Sequence, residues 1–393
     1  MSFCKYHGNI TDFNIQNGYA EAIVRGMKSG FLTETEYHHI CQCENLEDVK
    51  LNLQETDYGN FLADEPSPIT PATVRDKATE KLVDEWNYLR AQANQPLAQF
   101  MDYITYEYMI QNVIILLKGT ISGSKVSVQD LINRCHPLGL FKESIMRSIC
   151  TFENSPAGYQ ELYSTVLIDT PVGKYFAQFL HDQVEYGDHS KAGDVRSVLV
   201  DISLPILENT VLKYYLEDFY KFTQDLGGDT ALIVGDMLKE RADSMAINII
   251  LNSFGGPLNE ASMRAIRTSL LPSFGFLYPE GIYALSNCED IDSLGKVLQP
   301  YNIYYRIFEQ CIQSDNLSID DVFYLNEVRL CENGFDSQFH FACFYAYLHL
   351  KQQEIRNLQW ICECILQKQK NKIDKYIKIF SPSAPWRNGK LGF

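Results

Sequence analysis

Three helix starts fall within the stretch from Asn17 to Gly59, NGYAEAIVRGMKSGFLTETEYHHICQCENLEDVKLNLQETDYG. Asn17 is placed to cap a first helix whose apolar side is Ala20, Ile23, Val24 and Met27, and Gly30 to end it with a left-handed residue. Thr33 and Glu36 have capping-box spacing just before Tyr37, Ile40 and Cys41, which predicts a second helix. Asn45 offers a third cap with Leu46, Val49, Leu51 and Leu53 behind it, and Thr56-Asp57-Tyr58-Gly59 supplies turn chemistry. A chain punctuated this way is expected to fold as a set of short connected helices, with this N-terminal helical unit covering about 17–60.

The rest of the sequence continues in the same style. A polar, proline-bearing stretch at 63–72 reads as a surface linker, and helical spacing resumes over 74–93 and 97–117 with Pro96 between them. A small-residue linker spans 119–127, and CHPLGLF interrupts the next helical stretch, where Pro137 and Gly139 bend the backbone. Gly227-Gly228 closes an aromatic-rich helix, and Asp229 or Thr230 is placed to cap the next. From about 339 to 380 one helix is expected, burying Phe341, Phe344, Leu348, Ile355, Leu358, Ile361, Ile365, Ile373, Tyr376 and Ile377. At that length it would extend roughly 60 Å. A weak internal echo links LKERADSMAINII, from Leu238, to LKQQEIRNLQWIC, from Leu350.

Composition removes several classes of function. The 393 residues are 46% hydrophobic and 21% charged, a globular balance, and the net charge of −16 repels phosphate backbones and anionic lipid alike. The N-terminus lacks the pattern of a secretory signal, which favours reduced, mostly buried thiols for the 11 cysteines and makes the sequons at Asn9 and Asn316 incidental. No apolar run reaches the roughly 18 residues that a spanning helix needs.

Motifs for chemistry are equally thin. GTISGSK at 119–125 is one residue short of a phosphate loop and lacks its Gly-Lys-Ser/Thr ending. His38, His39, Cys41 and Cys43, or Cys362 and Cys364, lack metal-ligand spacing, so no metal and no cofactor is expected. Cys135-His136-Pro137 reads as a bend, and Glu217-Asp218 and Glu289-Asp290-Asp292 read as solvated acids. In KQQEIRN, Glu354 and Arg356 are candidates for a buried ion pair that fixes helix register. The lysines at 368, 370, 372, 375 and 378 are placed to complement the dipole of the last helix.

Taken in order, GFLTETEYHHICQCENLEDVKLNLQETDYGNFL, FMDYITYEYMIQNV, CHPLGLF, LYSTVLIDTPVGKYF, YLEDFYKF, INIILNSF, LPSFGFLYPEG, FYAYLHLKQQEIRNLQWICECI and KIDKYIKIF resemble the subunit d family of vacuolar-type rotary proton ATPases. The corresponding C-type component of archaeal-type rotary ATPases is a more distant likeness. The resemblance covers about 17–380. It implies one all-α domain over 1–393, funnel-shaped, with three pseudo-symmetric lobes. The implied role is non-catalytic: a peripheral subunit on the cytoplasmic face of vacuolar or other endomembranes, coupling the central shaft, subunits D and F, to the proteolipid c-ring, with a further contact to the cytoplasmic domain of the pump's a-type component. The sequence departs from the family at Glu208-Asn209, where Arg-Asn is usual. It departs again at Ser244-Met245, where two arginines are usual; Arg241 is expected to pair in their place, and Arg241 and Asp243 join Glu354 and Arg356 as ion-pair candidates. The alternative is an independent all-helical scaffold or adaptor outside the pump.

Overall fold

The computed structural model describes residues 10–121, 126–152, 158, 161–162, 168–186, 204–313 and 318–380. It is 76% helical, with no strand among the described residues, which makes the chain all-α. In chain order the helices are α1 (Ile10–Met27), α2 (Glu34–Gln42), α3 (Leu46–Gln54), α4 (Pro71–Gln92), α5 (Leu97–Ile121), α6 (Val128–Asn133), α7 (Glu143–Thr151) and α8 (Gly173–Tyr186). They continue as α9 (Leu204–Leu226), α10 (Gly228–Ser253), α11 (Arg264–Ser269), α12 (Glu280–Ser286), α13 (Ile291–Leu298), α14 (Asn302–Gln313), α15 (Ile319–Asn333) and α16 (Ala342–Leu366).

The caps explain many of these boundaries. Thr33 and Glu36 form both bonds of a capping box on α2, and Asn45 accepts the Asp48 N–H at 2.9 Å to start α3. Gly59 turns left-handed at φ 54°, as do Gly227, which separates α9 from α10, and Gly228, the first residue of α10, so Asp229 and Thr230 lie inside that helix rather than ahead of it. Two expectations at the N-terminal end fail. Asn17 lies in the middle of α1, buried, with no hydrogen-bond partner for its amide among the described residues. Gly30 lies in a 3₁₀ turn, Lys28–Gly30, where a Cβ would come within 2.7 Å of the Asp57 carboxyl carbon, so a side chain there would displace that carboxylate, and no left-handed turn is involved. Of the expected linkers, 63–72 is irregular up to the Thr70 cap of α4; in 119–127, α5 runs on to Ile121 and 122–125 lie outside the described residues.

The chain divides into two compact units. Unit 1 takes the described residues of 1–101, 223–237 and 298–393, and unit 2 those of 102–222 and 238–297. Unit 1 is built on α16, which packs on α4 and α15 and touches α1, α2 and α3. α16 is buried on nearly every side, from Ala342, Phe344 and Leu348 through Lys351, Glu354 and Asn357 to Ile361 and Ile365, so its polar side chains must find partners inside the unit. Unit 2 is built from the greater parts of α5, α9 and α10, with Ile110, Val113, Val211, Phe219, Ala246 and Ile250 fully buried.

The single helix expected over 339–380 stops at Leu366. Gln367-Lys368-Gln369-Lys370-Asn371-Lys372 offers no apolar residue to bury, Lys368 turns left-handed at φ 56°, and the Gln369 N–H bonds back to the Cys364 carbonyl at 2.8 Å. A 3₁₀ stretch, Lys370–Lys375, then doubles back along α16. Asn357 holds it, donating to the Ile377 carbonyl at 2.6 Å and accepting the Ile377 N–H at 3.1 Å. Most of the lysines assigned to the helix dipole therefore lie on this returning segment.

Candidate functional site

Glu354, wholly buried on α16, is the centre of a polar node in unit 1. Its carboxylate accepts the Leu32 N–H at 2.7 Å, the Tyr58 hydroxyl at 2.9 Å and the Lys351 ammonium at 2.8 Å. Burial, with this carboxylate beside it, holds the Tyr58 phenol well above its ordinary range. Lys351 also sits over the rings of Tyr58, at 4.5 Å, and Phe31, at 5.1 Å. Arg356, expected as the partner of Glu354, points elsewhere: its guanidinium lies 4.5 Å over the Tyr324 ring and reaches Gln353. Residues two apart on a helix face different ways, whereas Lys351, three residues before Glu354, shares its face.

Unit 2 contains a second node of the same construction. Asp243, wholly buried on α10, accepts the Phe276 N–H at 2.8 Å and the Leu277 N–H at 3.3 Å. The loop it holds is Gly275-Phe276-Leu277, and the loop held by Glu354 is Gly30-Phe31-Leu32. Lys239 lies 5.1 Å over the Phe276 ring, as Lys351 does over Phe31. Lys239 and Lys351 follow the two leucines at which the internal echo begins, and although the acids stand one position apart in the echo, in both places a buried acid on a long helix grips the backbone of a Gly-Phe-Leu loop. Gly275 is obligatory here, with φ 139° and a Cβ that would lie 2.2 Å from Asp243 Oδ1. Arg241 is turned toward α5. It reaches Glu107 on α5 at 2.5 Å, a half-exposed bridge at the edge of a cavity of about 640 Å³ lined also by Asn209, Leu216, Met245 and Asn252.

A neutral variant of the same grip joins α5 to the CHPLGLF turn. Asn112, fully buried, donates to the His136 carbonyl at 2.9 Å and accepts the His136 N–H at 2.6 Å. Gly139 lets the turn approach so closely that a Cβ would lie 2.4 Å from the Tyr108 carbonyl carbon. Burial lowers His136 to about 4, so the ring is neutral and its Nδ1 accepts the Leu138 N–H.

The acid clusters are occupied structurally. Asp218 accepts from the Tyr103 and Tyr175 hydroxyls and from Lys174; burial raises its pKa, but these donors outweigh that and leave it lowered. Glu217 holds Ser273 through both its N–H and its hydroxyl, Arg264 bonds Glu289, and Asp290 caps α13 through Ser293. The described cysteines are unbridged thiols, and burial pushes Cys362 up to about 12. No cluster of His, Cys, Asp or Glu among the described residues has metal-holding geometry, and no described helix is long and apolar enough to cross a membrane. These nodes orient loops on helices; every buried carboxylate named here has its donors in place.

The sequence from 20 to 376 matches the family model "ATP synthase (C/AC39) subunit". The V-type proton ATPase subunit d of Dictyostelium discoideum is 44% identical over 374 residues, 95% of this chain and 98% of that one. The V-type proton ATPase subunit d1 of Arabidopsis thaliana is 42% identical over 369 residues, covering 94% and 98%. The subunit d of Saccharomyces cerevisiae is 37% identical over 371 residues, covering 94% and 99%. With alignment that spans nearly the whole of both chains, the protein belongs to the ATP synthase (C/AC39) subunit family, within its V-type proton ATPase subunit d branch.

Proposed function

We propose that this chain is a non-catalytic subunit of the membrane sector of a V-type proton ATPase, and that it couples the central shaft, subunits D and F, to the proteolipid c-ring. The reading rests on one observation: near full-length identity of 37–44% to proteins named as subunit d. It includes the three-lobed funnel form, a peripheral position on the cytoplasmic face of endomembranes, and a contact with the cytoplasmic domain of the a-type component. The loop-gripping nodes suit that work. A part that passes torque must not yield, and Glu354, Asp243 and Asn112 tie loops to long helices through buried hydrogen bonds, which are slow to open. The test is affinity purification of the tagged full chain from native membranes under mild detergent. Recovery of the c-ring and shaft subunits in fixed proportion is expected; a preparation that contains neither refutes the proposal.

A further inference from the structure

The two Gly-Phe-Leu loops differ in what lies on top of them. In unit 1, Phe31 is 7% exposed, its ring packed on Tyr347 at 5.9 Å and on Phe380 at 5.4 Å. Phe380 belongs to the segment that doubles back from α16, 370–380, which also stacks Tyr376 on Tyr37 at 4.7 Å and carries Lys370, Lys372, Lys375 and Lys378. In unit 2, no such segment lies over the loop among the described residues: Phe276 is 47% exposed, Tyr278 48% and Tyr283 74%. Yet this loop is as firmly built. Asp243 grips its backbone, Phe274 stacks on Tyr220 at 4.4 Å, and Glu217 anchors Ser273. Beyond α12, the wholly buried Arg267 holds the Ser286 and Cys288 carbonyls. Exposed aromatic rings on a rigid backbone form a pre-organised anchor site, since little ordering remains to be done on binding.

We propose that the Phe276-Tyr278-Tyr283 surface docks a segment of a partner subunit with the chemistry of 370–380: an aromatic side chain laid on Phe276, flanked by lysine or arginine. The molecule itself supplies the template, because its unit 1 shows what covers a loop of this design. Charge agrees where the tyrosines stand: from Thr268 to Gly295 the chain carries Glu280, Glu289, Asp290 and Asp292 and no Lys, Arg or His, and although Arg264 offsets Glu289 and Lys239 lies over Phe276, Glu280, two residues from Tyr278, remains to attract a base beside the tyrosine rings. The proposal rests on the reading that the chain works inside a pump.

The test places p-benzoylphenylalanine at Tyr278 or Tyr283 in the full chain, irradiates the assembled complex in native membranes, and sequences the crosslinked peptide. The expected product is a single pump-subunit peptide containing an aromatic residue and at least one Lys or Arg. Adding Phe276→Ala is expected to lower its yield about tenfold, whereas Phe276→Tyr preserves it. Because the Phe276 side chain is half exposed, the Ala variant should keep the parent's urea midpoint, which separates loss of docking from loss of folding. Absence of a crosslink in a complex that retains the chain, or a peptide lacking either the aromatic or the base, overturns the docking site and leaves the pump assignment standing. Absence of the chain from the complex refutes the pump assignment itself.

Discussion

Replacing Glu354 with Ala removes the acceptor of three donors at once. The Lys351 ammonium, 1% exposed, would be left with its charge uncompensated, and the Leu32 N–H and Tyr58 hydroxyl would lose their partner. At the 2.8 Å separation and an effective dielectric constant of about 20, the bare attraction in the pair is about 6 kcal/mol. Desolvation of two ions offsets much of that, and the measured cost of removing one partner of a buried pair is about 3–5 kcal/mol. Glu354→Ala should therefore destabilise unit 1 by about that amount. Lys351→Met should also be costly, since it leaves a buried carboxylate with two neutral donors. The double variant Lys351→Met/Glu354→Leu removes both charges, and its cost should fall short of the sum of the singles by at least about 2 kcal/mol. Urea unfolding followed by far-ultraviolet circular dichroism on all four proteins gives the cycle. Single variants costing less than about 1 kcal/mol, or costs that add within about 0.5 kcal/mol, would refute the assignment of the node as a coupled buried pair.

Three further outcomes follow from the geometry. His136 is lowered by burial from 6.5 to about 4, so its contribution is complete above pH 6.5 and is lost as pH falls toward 4, about 3 kcal/mol in all; His136→Asn should flatten that slope in stability measured against pH. Gly139→Ala should cost about 2–3 kcal/mol in urea unfolding, because the new Cβ meets α5 backbone, whereas Gly26→Ala, on α1 with nothing within 4 Å of its Cβ, should stabilise by about 0.5–1 kcal/mol. Asn357→Leu should release the returning segment, read as new tryptic cleavage at Lys372, Lys375 or Lys378 while cleavage elsewhere is unchanged.

Local signals were readable in the sequence, and long-range choices were not. The Thr33–Glu36 box, the Asn45 cap and the CHPLGLF bend depend on neighbours a few residues apart, and the structure shows all three. Asn17 has the side chain of a good cap, but the helix around it runs from Ile10 and buries the amide instead. Helical spacing carries past the true end of α16 because Ile373, Tyr376 and Ile377 keep register with the residues before them; they are buried or half-buried by folding back, which a periodicity cannot distinguish from continuing. The partner of Glu354 follows from helical spacing, which favours Lys351 over Arg356. The Glu107–Arg241 bridge spans 134 positions, a pairing that no local pattern announces. The recurrence of Gly-Phe-Leu carries meaning only once two buried carboxylates are found gripping both copies.

The division of the chain has a consequence for how it is made. Unit 2 uses no residue beyond 297, whereas unit 1 needs α16, which begins at Ala342, to give α1 to α4 a surface to pack on. During synthesis the N-terminal helices leave the ribosome early and then wait, their apolar faces uncovered, through the translation of the whole of unit 2. Unit 2 is free to close first, and unit 1 closes last, by long-range association of sequence ends. The first hundred residues are thus the stretch whose apolar faces stay uncovered longest during synthesis, and a chain truncated before α16 lacks the surface on which they pack.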